Sequence, residues 1–235
     1  MEVKIGDINL LFETGKIHAI VGPVSAGKSN LLETINKKYI NSSISFYNQD
    51  VNQYFLFDTV KQELLSSVSE ESTENKEKMI LDALNKVDMD STFVNRKINT
   101  LSLSEMRRIQ LASILLQNKQ YILLDDPTLY LDEREKKNLI HLLKPLKKEK
   151  NIIIATRDLS FALNLCDDIC LFNHKIIYFD QKNEAMKHME LFEKEKLCIP
   201  FPIMFSMKVK KEKNISIGYR LDIYDLIKDI YRNVT

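Results

Sequence analysis

With 235 residues, the chain is long enough for one large domain, or one domain with a small appendage, around a sizeable core. Its 34 Lys and Arg against 33 Asp and Glu leave a formal charge of +1, so no electrostatic case exists for nucleic acid or an anionic membrane surface as the main partner. The start, MEVKIGDINL, lacks the basic-then-apolar run of a signal peptide, and no apolar stretch is long enough to cross a bilayer. Any membrane role is therefore expected to come through a partner.

Two short apolar runs, Ile8 to Phe12 and Ile17 to Val21, flank Glu13-Thr14-Gly15-Lys16, which reads as a turn between strands. The second run leads into Gly22-Pro23-Val24-Ser25-Ala26-Gly27-Lys28-Ser29, and a helical run opens near Lys28. This is the phosphate-binding loop pattern. Glycines let successive backbone N–H groups close around phosphates, Lys28 reaches the terminal phosphates, and Ser29 ligates Mg2+. A strand before the loop and a helix N-terminus after it supply the context the motif requires. Leu31, Leu32 and Ile35 then recur at helical spacing, Asn41-Ser42-Ser43 breaks the pattern, and Ile44 to Tyr47 returns as a strand. The unit is β-loop-α-β with the phosphate site at its crossover, the arrangement of parallel-sheet α/β nucleotide-binding proteins.

From Asn48 the chain turns polar and aromatic, NQDVNQYFLFDTVKQELL, and the run Ser66 to Lys78 is expected as a solvated loop or helix start. Met79, Ile80, Ala83, Leu84 and Val87 share one face of an amphipathic helix, and helical spacing resumes from Ser104 to Leu116. Tyr121 to Leu124 is a continuous apolar run ending in Asp125-Asp126-Pro127. Carboxylates at the C-terminal end of such a strand stand where a parallel sheet meets a Mg2+-bound phosphate. A helix from about Glu133 to Lys148, a buried strand Ile152 to Ala155, a helix around Leu159 to Leu165 and paired strands across Asn173-His174 follow. Past Asp180 the sheet-like pattern stops, and short helices are expected, ending in the amphipathic Leu221 to Tyr231. Phe201, Met204, Phe205 and Met207 fit either a partner face or, as is more usual for such a stripe, core. Cys166, Cys170 and Cys198 make no disulfide framework and are expected as small buried apolar residues in a reducing cytosol.

A phosphate loop alone leaves kinases, GTPases and motors open. The stretch Leu101-Ser102-Leu103-Ser104-Glu105-Met106-Arg107-Arg108-Ile109-Gln110-Leu111-Ala112, shortly before Tyr121-Ile122-Leu123-Leu124-Asp125-Asp126-Pro127-Thr128, narrows the choice. At these points the chain resembles the ATPase subunits of ABC transporters, whose signature reads LSGGQ followed by basic residues and whose Walker B strand ends in Asp-Glu-Pro-Thr. Gln49 falls where that family has its Q-loop glutamine, Leu129 to Asp132 where it has its D-loop, and Thr156-Arg157-Asp158 where it has Thr-His-Asp. The resemblance covers roughly residues 5 to 180. It implies an ABC-type core on a P-loop NTPase fold, with a mostly parallel sheet, antiparallel N-terminal strands and a helical subdomain at about residues 55–118. The resulting division is 1–180 for the ATP-binding domain and 181–235 for a helical, dimerising extension. It also implies an ATP-sandwich dimer, in which each site joins one chain's phosphate loop to the other's signature. By resemblance, Gly22 to Ser29 and Asn30 hold ATP, Ser29, Gln49 and Asp125 hold Mg2+, and Asp126, Gln49 and Arg157 serve catalysis. Ser102, Ser104 and Glu105 contact the nucleotide of the partner's site. Two variable stretches resemble the energy-coupling factor (ECF) and cobalt-type group: Gln53, Phe55, Phe57, Thr59, Val60 and Glu63, and the run Glu190 to Met207 through Leu197-Cys198-Ile199-Pro200.

Several positions depart from that pattern. Asp126 replaces the glutamate that positions the attacking water, and a displacement of about 1 Å can cost about 10²-fold in rate. Arg157 replaces the γ-phosphate-sensing histidine; a guanidinium contacts phosphate but does not share a proton as imidazole does. Leu103 and Ser104 fill the two glycine positions of the signature, where backbone is to approach phosphate. Asn30 and His174 replace a usual threonine and glycine. The family's adenine-stacking aromatic belongs to a strand well before the loop, whereas here the loop starts at Gly22, so adenine is expected to be held otherwise.

Two readings of the departures stand: tolerated drift with a slow Asp126, or the degenerate member of a heterodimer, the reading adopted here. The expected protein is a cytosolic ATP-binding subunit, peripheral on the inner face of the cell membrane. It would pair with a more orthodox ATPase beneath a transmembrane subunit of an ECF-type importer for a vitamin or metal ion, with no nucleic-acid partner. A soluble ABC-type ATPase with a regulatory, repair or translation role is the alternative.

Overall fold

The computed structural model describes residues 2–5, 8–39, 43–68 and 73–234. The expected break at Asn41-Ser42 and residues 69–72 of the expected solvated run lie outside them. In chain order the elements are β1 (Glu2–Ile5), β2 (Ile8–Leu11), β3 (Ile17–Val21), α1 (Lys28–Lys38), β4 (Ile44–Tyr47), α2 (Val60–Ser67), α3 (Thr73–Lys86), α4 (Leu103–Gln117) and β5 (Tyr121–Asp125). They continue as α5 (Glu133–Leu146), β6 (Asn151–Thr156), α6 (Leu159–Leu165), β7 (Asp168–Phe172), β8 (Ile176–Gln181), α7 (Lys182–Ala185), α8 (Met189–Lys194), α9 (Phe201–Lys213) and α10 (Ile223–Val234). The protein is an α/β P-loop ATPase fold whose strands pair mostly in parallel. Among the described residues no helix is long and apolar enough to cross a membrane.

The chain forms two compact units, one of Met1–Ile17 with Ser29–Ala155 and one of His18–Lys28 with Thr156–Thr235. In the first, β4 pairs in parallel with β5, and β5 with β6, in a register that sets Asp125 opposite Ala155. The unbroken apolar runs of β5 and β6 suit this, because a parallel strand is covered on both faces; Ile122 to Leu124 and Ile152 to Ala155 are buried. β1, a strand not read from the sequence, pairs antiparallel with β2. Helix α4 packs against α2, α3 and β4, and its start is defined chemically. Ser102 is the N-cap, its Oγ accepting from Glu105 N while Glu105 returns a bond to the Ser102 N–H, a reciprocal box that satisfies two otherwise orphan donors. Asp132 and Glu135 repeat the device at α5.

In the second unit β3 pairs in parallel with β7, and β7 antiparallel with β8. All five residues of β3 and all five of β7 are buried. One polar pair crosses these strands: His18 Nδ1 lies 3.1 Å from Asp168 Oδ2, and the two residues are partners in the register. Cys166 and Cys170 are buried as expected, and burial pushes the Cys170 thiol up to about 12. Cys198 is exposed, contrary to expectation. It stands in a stretch without regular structure between buried Leu197 and Ile199, and in a chain of that alternation the middle side chain turns outward. In α9, Ile203 and Ser206 are buried while Phe201 is 58% exposed.

Candidate functional site

The phosphate loop leaves β3 at Gly22, whose N–H donates to Thr156 O at 3.4 Å. A Cβ on Gly22 would stand 2.0 Å from the Phe172 carbonyl oxygen, so the close approach to β7 admits only glycine. Gly27 (φ +85) is left-handed, a conformation glycine adopts without steric cost; Ser25 shares that region at φ 66. Ala26 N donates to Pro23 O at 3.3 Å, and His174 N in the β7–β8 turn donates to Ala26 O at 2.9 Å, bracing the loop from outside. Lys28 Nζ donates to the carbonyls of Gly22 and Pro23, both at 2.8 Å. The ammonium is thus held on the loop itself by two neutral carbonyls, which bind a cation less strongly than an anionic oxygen would. Val24 and Asn30 are exposed. Arg157, also exposed, follows the strand end that Gly22 meets, and Asp158 beside it caps α6 through Phe161 N at 2.9 Å.

The metal-binding candidates meet in the first unit. Ser29 Oγ donates to Gln49 Oε1 at 3.3 Å. Both residues, with Asp125, Asp50, Leu103 and Tyr130, line a cavity of about 440 Å³. Ser29, Gln49 and Asp125 offer a hydroxyl, an amide oxygen and a carboxylate, a hard oxygen set of the kind Mg2+ takes alongside phosphates and water. The residues present fit that ion. Asp125 ends β5 and is 4% exposed. Asp126 follows with φ 44, its N–H donating to Ala155 O at 2.8 Å and its Oδ1 lying 3.5 Å from Thr128 Oγ1. A left-handed backbone is one that a short Asp tolerates better than longer side chains.

The signature candidates are brought together around the start of α4, outside the cavity lining. The Ser102 N–H, donating to Glu105 Oε2 at 2.7 Å, holds the Glu105 carboxyl below the usual carboxylate range. Arg96 Nη1 pairs with Glu105 Oε1 at 3.1 Å. Ser104 Oγ donates to Glu135 Oε1 at 2.7 Å. Leu103 is 42% exposed and is the signature residue that does line the cavity.

From the sequence, Arg107 has only a place in the signature stretch and Glu63 only a place in the ECF-type resemblance, and neither is assigned a role in the site. Arg107 is 2% exposed; its Nη1 donates to Asn48 O at 3.0 Å and its Nη2 to Gln49 O. Beside it, burial pushes the Tyr47 phenol up to about 12, against an opposing pull from Arg107. A signal was available: Arg107 and Gln110 fall among buried Ile109, Leu111 and Ile114 on α4, and polar groups inside an apolar pattern demand partners. Glu63 is buried and accepts from Leu56 N at 2.9 Å and Phe57 N at 3.2 Å, which shapes the turn that leaves Leu56 83% and Phe57 42% exposed.

Loop, Walker B strand and capped signature helix together define a P-loop ATPase of the ABC class. The family model described as ABC transporter matches residues 5–129, and the chain belongs to that family as an ATP-binding component. It is 28% identical over 236 residues to the energy-coupling factor transporter ATP-binding protein EcfA1 of Mesomycoplasma hyopneumoniae, covering 89% of this chain and 86% of the relative. Among solved structures it resembles cbiO1 of Clostridium perfringens, part of the ABC transporter complex cbiONQ, with TM-score 0.67, 21% identity and coverage of 88% and 96%. The dimeric structure of MJ0796, a bacterial ABC transporter cassette, matches with TM-score 0.67, 23% identity and coverage of 77% and 95%.

Proposed function

We propose that this chain is the nucleotide-holding, weakly hydrolysing ATPase subunit of an ECF-type importer for a vitamin or metal ion. In this reading residues 1–180 form the ATP-binding domain, with a helical subdomain at about 55–118, and 181–235 form a dimerising extension. The observation that carries the proposal is the convergence of Ser29, Gln49 and Asp125 on one cavity while the hydrolytic positions carry Asp126 and Arg157. Gly22 to Asn30 enclose the phosphates, with Lys28 transferring its hydrogen bonds from loop carbonyls to phosphate oxygens. Ser29, Gln49 and Asp125 would hold Mg2+, which supplies charge neutralisation between the phosphates. Asp126 and Arg157 orient water and γ-phosphate poorly, so ATP persists and acts as a clamp.

Ser102, Ser104 and Glu105 complete the site of a second, more orthodox ATPase subunit, a heterodimer being favoured by the asymmetry of these motifs. The turn carrying exposed Leu56 and Phe57 supports docking of a transmembrane subunit, which would place the chain peripherally on the inner membrane face. On α10, Ile223, Tyr224, Ile227 and Tyr231 are 42–72% exposed, in keeping with a dimerising extension. Two measurements test this. The purified chain binds ATP with Mg2+ but releases little phosphate, and Asp126→Glu combined with Arg157→His raises turnover about tenfold or more; robust turnover by the unmodified chain overturns the degenerate-subunit reading. Affinity purification from detergent-solubilised membranes recovers an integral membrane protein, whereas recovery of ribosomes or DNA refutes the transport role.

A further inference from the structure

Arg107 is a cation buried without an ion pair among the described residues. It sits on α4 one turn beyond the signature cap and is 2% exposed. Its Nε is buried without a hydrogen-bond partner. Burying a charge in this way is costly, and where packing is the only demand an apolar side chain of similar volume is at least as stable. What the guanidinium does have is a specific grip. Its two Nη groups donate to the carbonyls of Asn48 and Gln49, the two that flank the Gln49 Cα. Gln110, on the next turn of α4, adds a bond to Asn48 O at 3.3 Å. The Arg107 guanidinium also lies over two aromatic rings, Tyr47 at 5.3 Å and Tyr130 at 5.9 Å, close enough for cation–π attraction. Tyr130 is held at φ 65, in the segment aligned with the D-loop.

Gln49 itself is exposed, and its side chain has three rotatable bonds, so its aim at Ser29 depends on how firmly its backbone is held. Groups that fix a ligating residue from behind tune metal affinity by about 10- to 100-fold. We propose that Arg107 is a positioning residue for the metal-binding side of the site: by clamping the backbone on both sides of Gln49 it aims the amide oxygen into the cavity shared with Ser29 and Asp125, and through Tyr130 it ties that aim to the D-loop. The proposal rests on the Mg2+-ATP reading above.

The test is calorimetric titration of ATP into the full chain, once with Mg2+ and once with EDTA, for the wild type, Arg107→Lys and Arg107→Gln. The readout is the ratio of the two affinities, the metal's assistance to binding. Lysine keeps charge and stem but lacks the planar fork that reaches two carbonyls at once. Both variants are therefore expected to lose about tenfold in the ratio, with affinity in EDTA changed by less than about twofold. Adding Gln49→Ala to either variant is expected to cost little more, because the two residues act as a unit. Retention of the wild-type ratio in Arg107→Lys, or equal losses with Mg2+ and with EDTA, overturns the positioning role. Should Arg107→Gln fail to fold by circular dichroism, Arg107→Lys decides alone. A wild type whose ATP affinity gains nothing from Mg2+ overturns the site reading and this proposal together.

Discussion

Gly22 marks the place where the loop's chemistry and the fold's packing make the same demand. Its backbone passes so near Phe172 that a Cβ would sit 2.0 Å from a carbonyl oxygen, and a backbone acceptor in a buried strand cannot swing aside as a side chain can. Gly22→Ala is expected to destabilise the protein by about 3 kcal/mol, read from its urea midpoint, and to weaken ATP binding through the displaced loop. Asp126 shows an opposite tension. Its φ of 44 suits a short Asx side chain, so Asp126→Glu, which is expected to help turnover, also carries a strain of about 1 kcal/mol. In the proposed reading, the residue that slows hydrolysis is thus the one its backbone favours. Residue identities in the phosphate loop and the Walker B strand were legible in the sequence because their chemistry is local, resting on consecutive backbone donors and a carboxylate at a strand end. Arg107 was not, since its carbonyl partner Asn48 lies 59 residues away.

Among the elements, α4 carries the most. Its apolar spacing identifies a helix over Ser104 to Leu116, and the observed span differs by one residue at each end. Its cap, a Ser102-x-x-Glu105 box not read from the sequence, is a finding of the structure. The structure adds the ionic state: Glu105 is held as a carboxylate by the Ser102 N–H, by the Ser102 side chain and by Arg96. A carboxyl whose folded pKa is depressed contributes stability above its unfolded pKa and loses it as pH falls through the folded value. Glu105→Gln is thus expected to lower the urea midpoint at pH 7 and to have a shrinking effect as pH falls through the carboxylate range toward 3. A midpoint difference independent of pH would show that the charge of Glu105 contributes nothing. At α5 the helix was also legible, but the bond from Ser104 to Glu135, which diverts a signature hydroxyl, depended on two helices meeting.

At the scale of the molecule, exposure is the property the sequence conveyed least. All three cysteines read as core, yet Cys198 is exposed while Cys166 and Cys170 are buried, with burial pushing both buried thiols up. Titration of the native protein with an aromatic disulfide reagent near pH 8 is expected to consume one thiol per chain quickly and the other two only on unfolding. Fast reaction of all three would mean that β7 and the C-terminal end of α6 open readily. The sequence by itself determined the class of protein, because phosphate loop, signature and Walker B strand each rest on residues within a turn or two of one another, where chemistry dictates spacing. Only the tertiary structure decided that Ser29, Gln49 and Asp125 share a cavity, that β7 forbids a side chain at Gly22, and that Arg107 grips the backbone around Gln49. Those are contacts between distant segments, set by how strands pair and helices pack, and no local pattern encodes them.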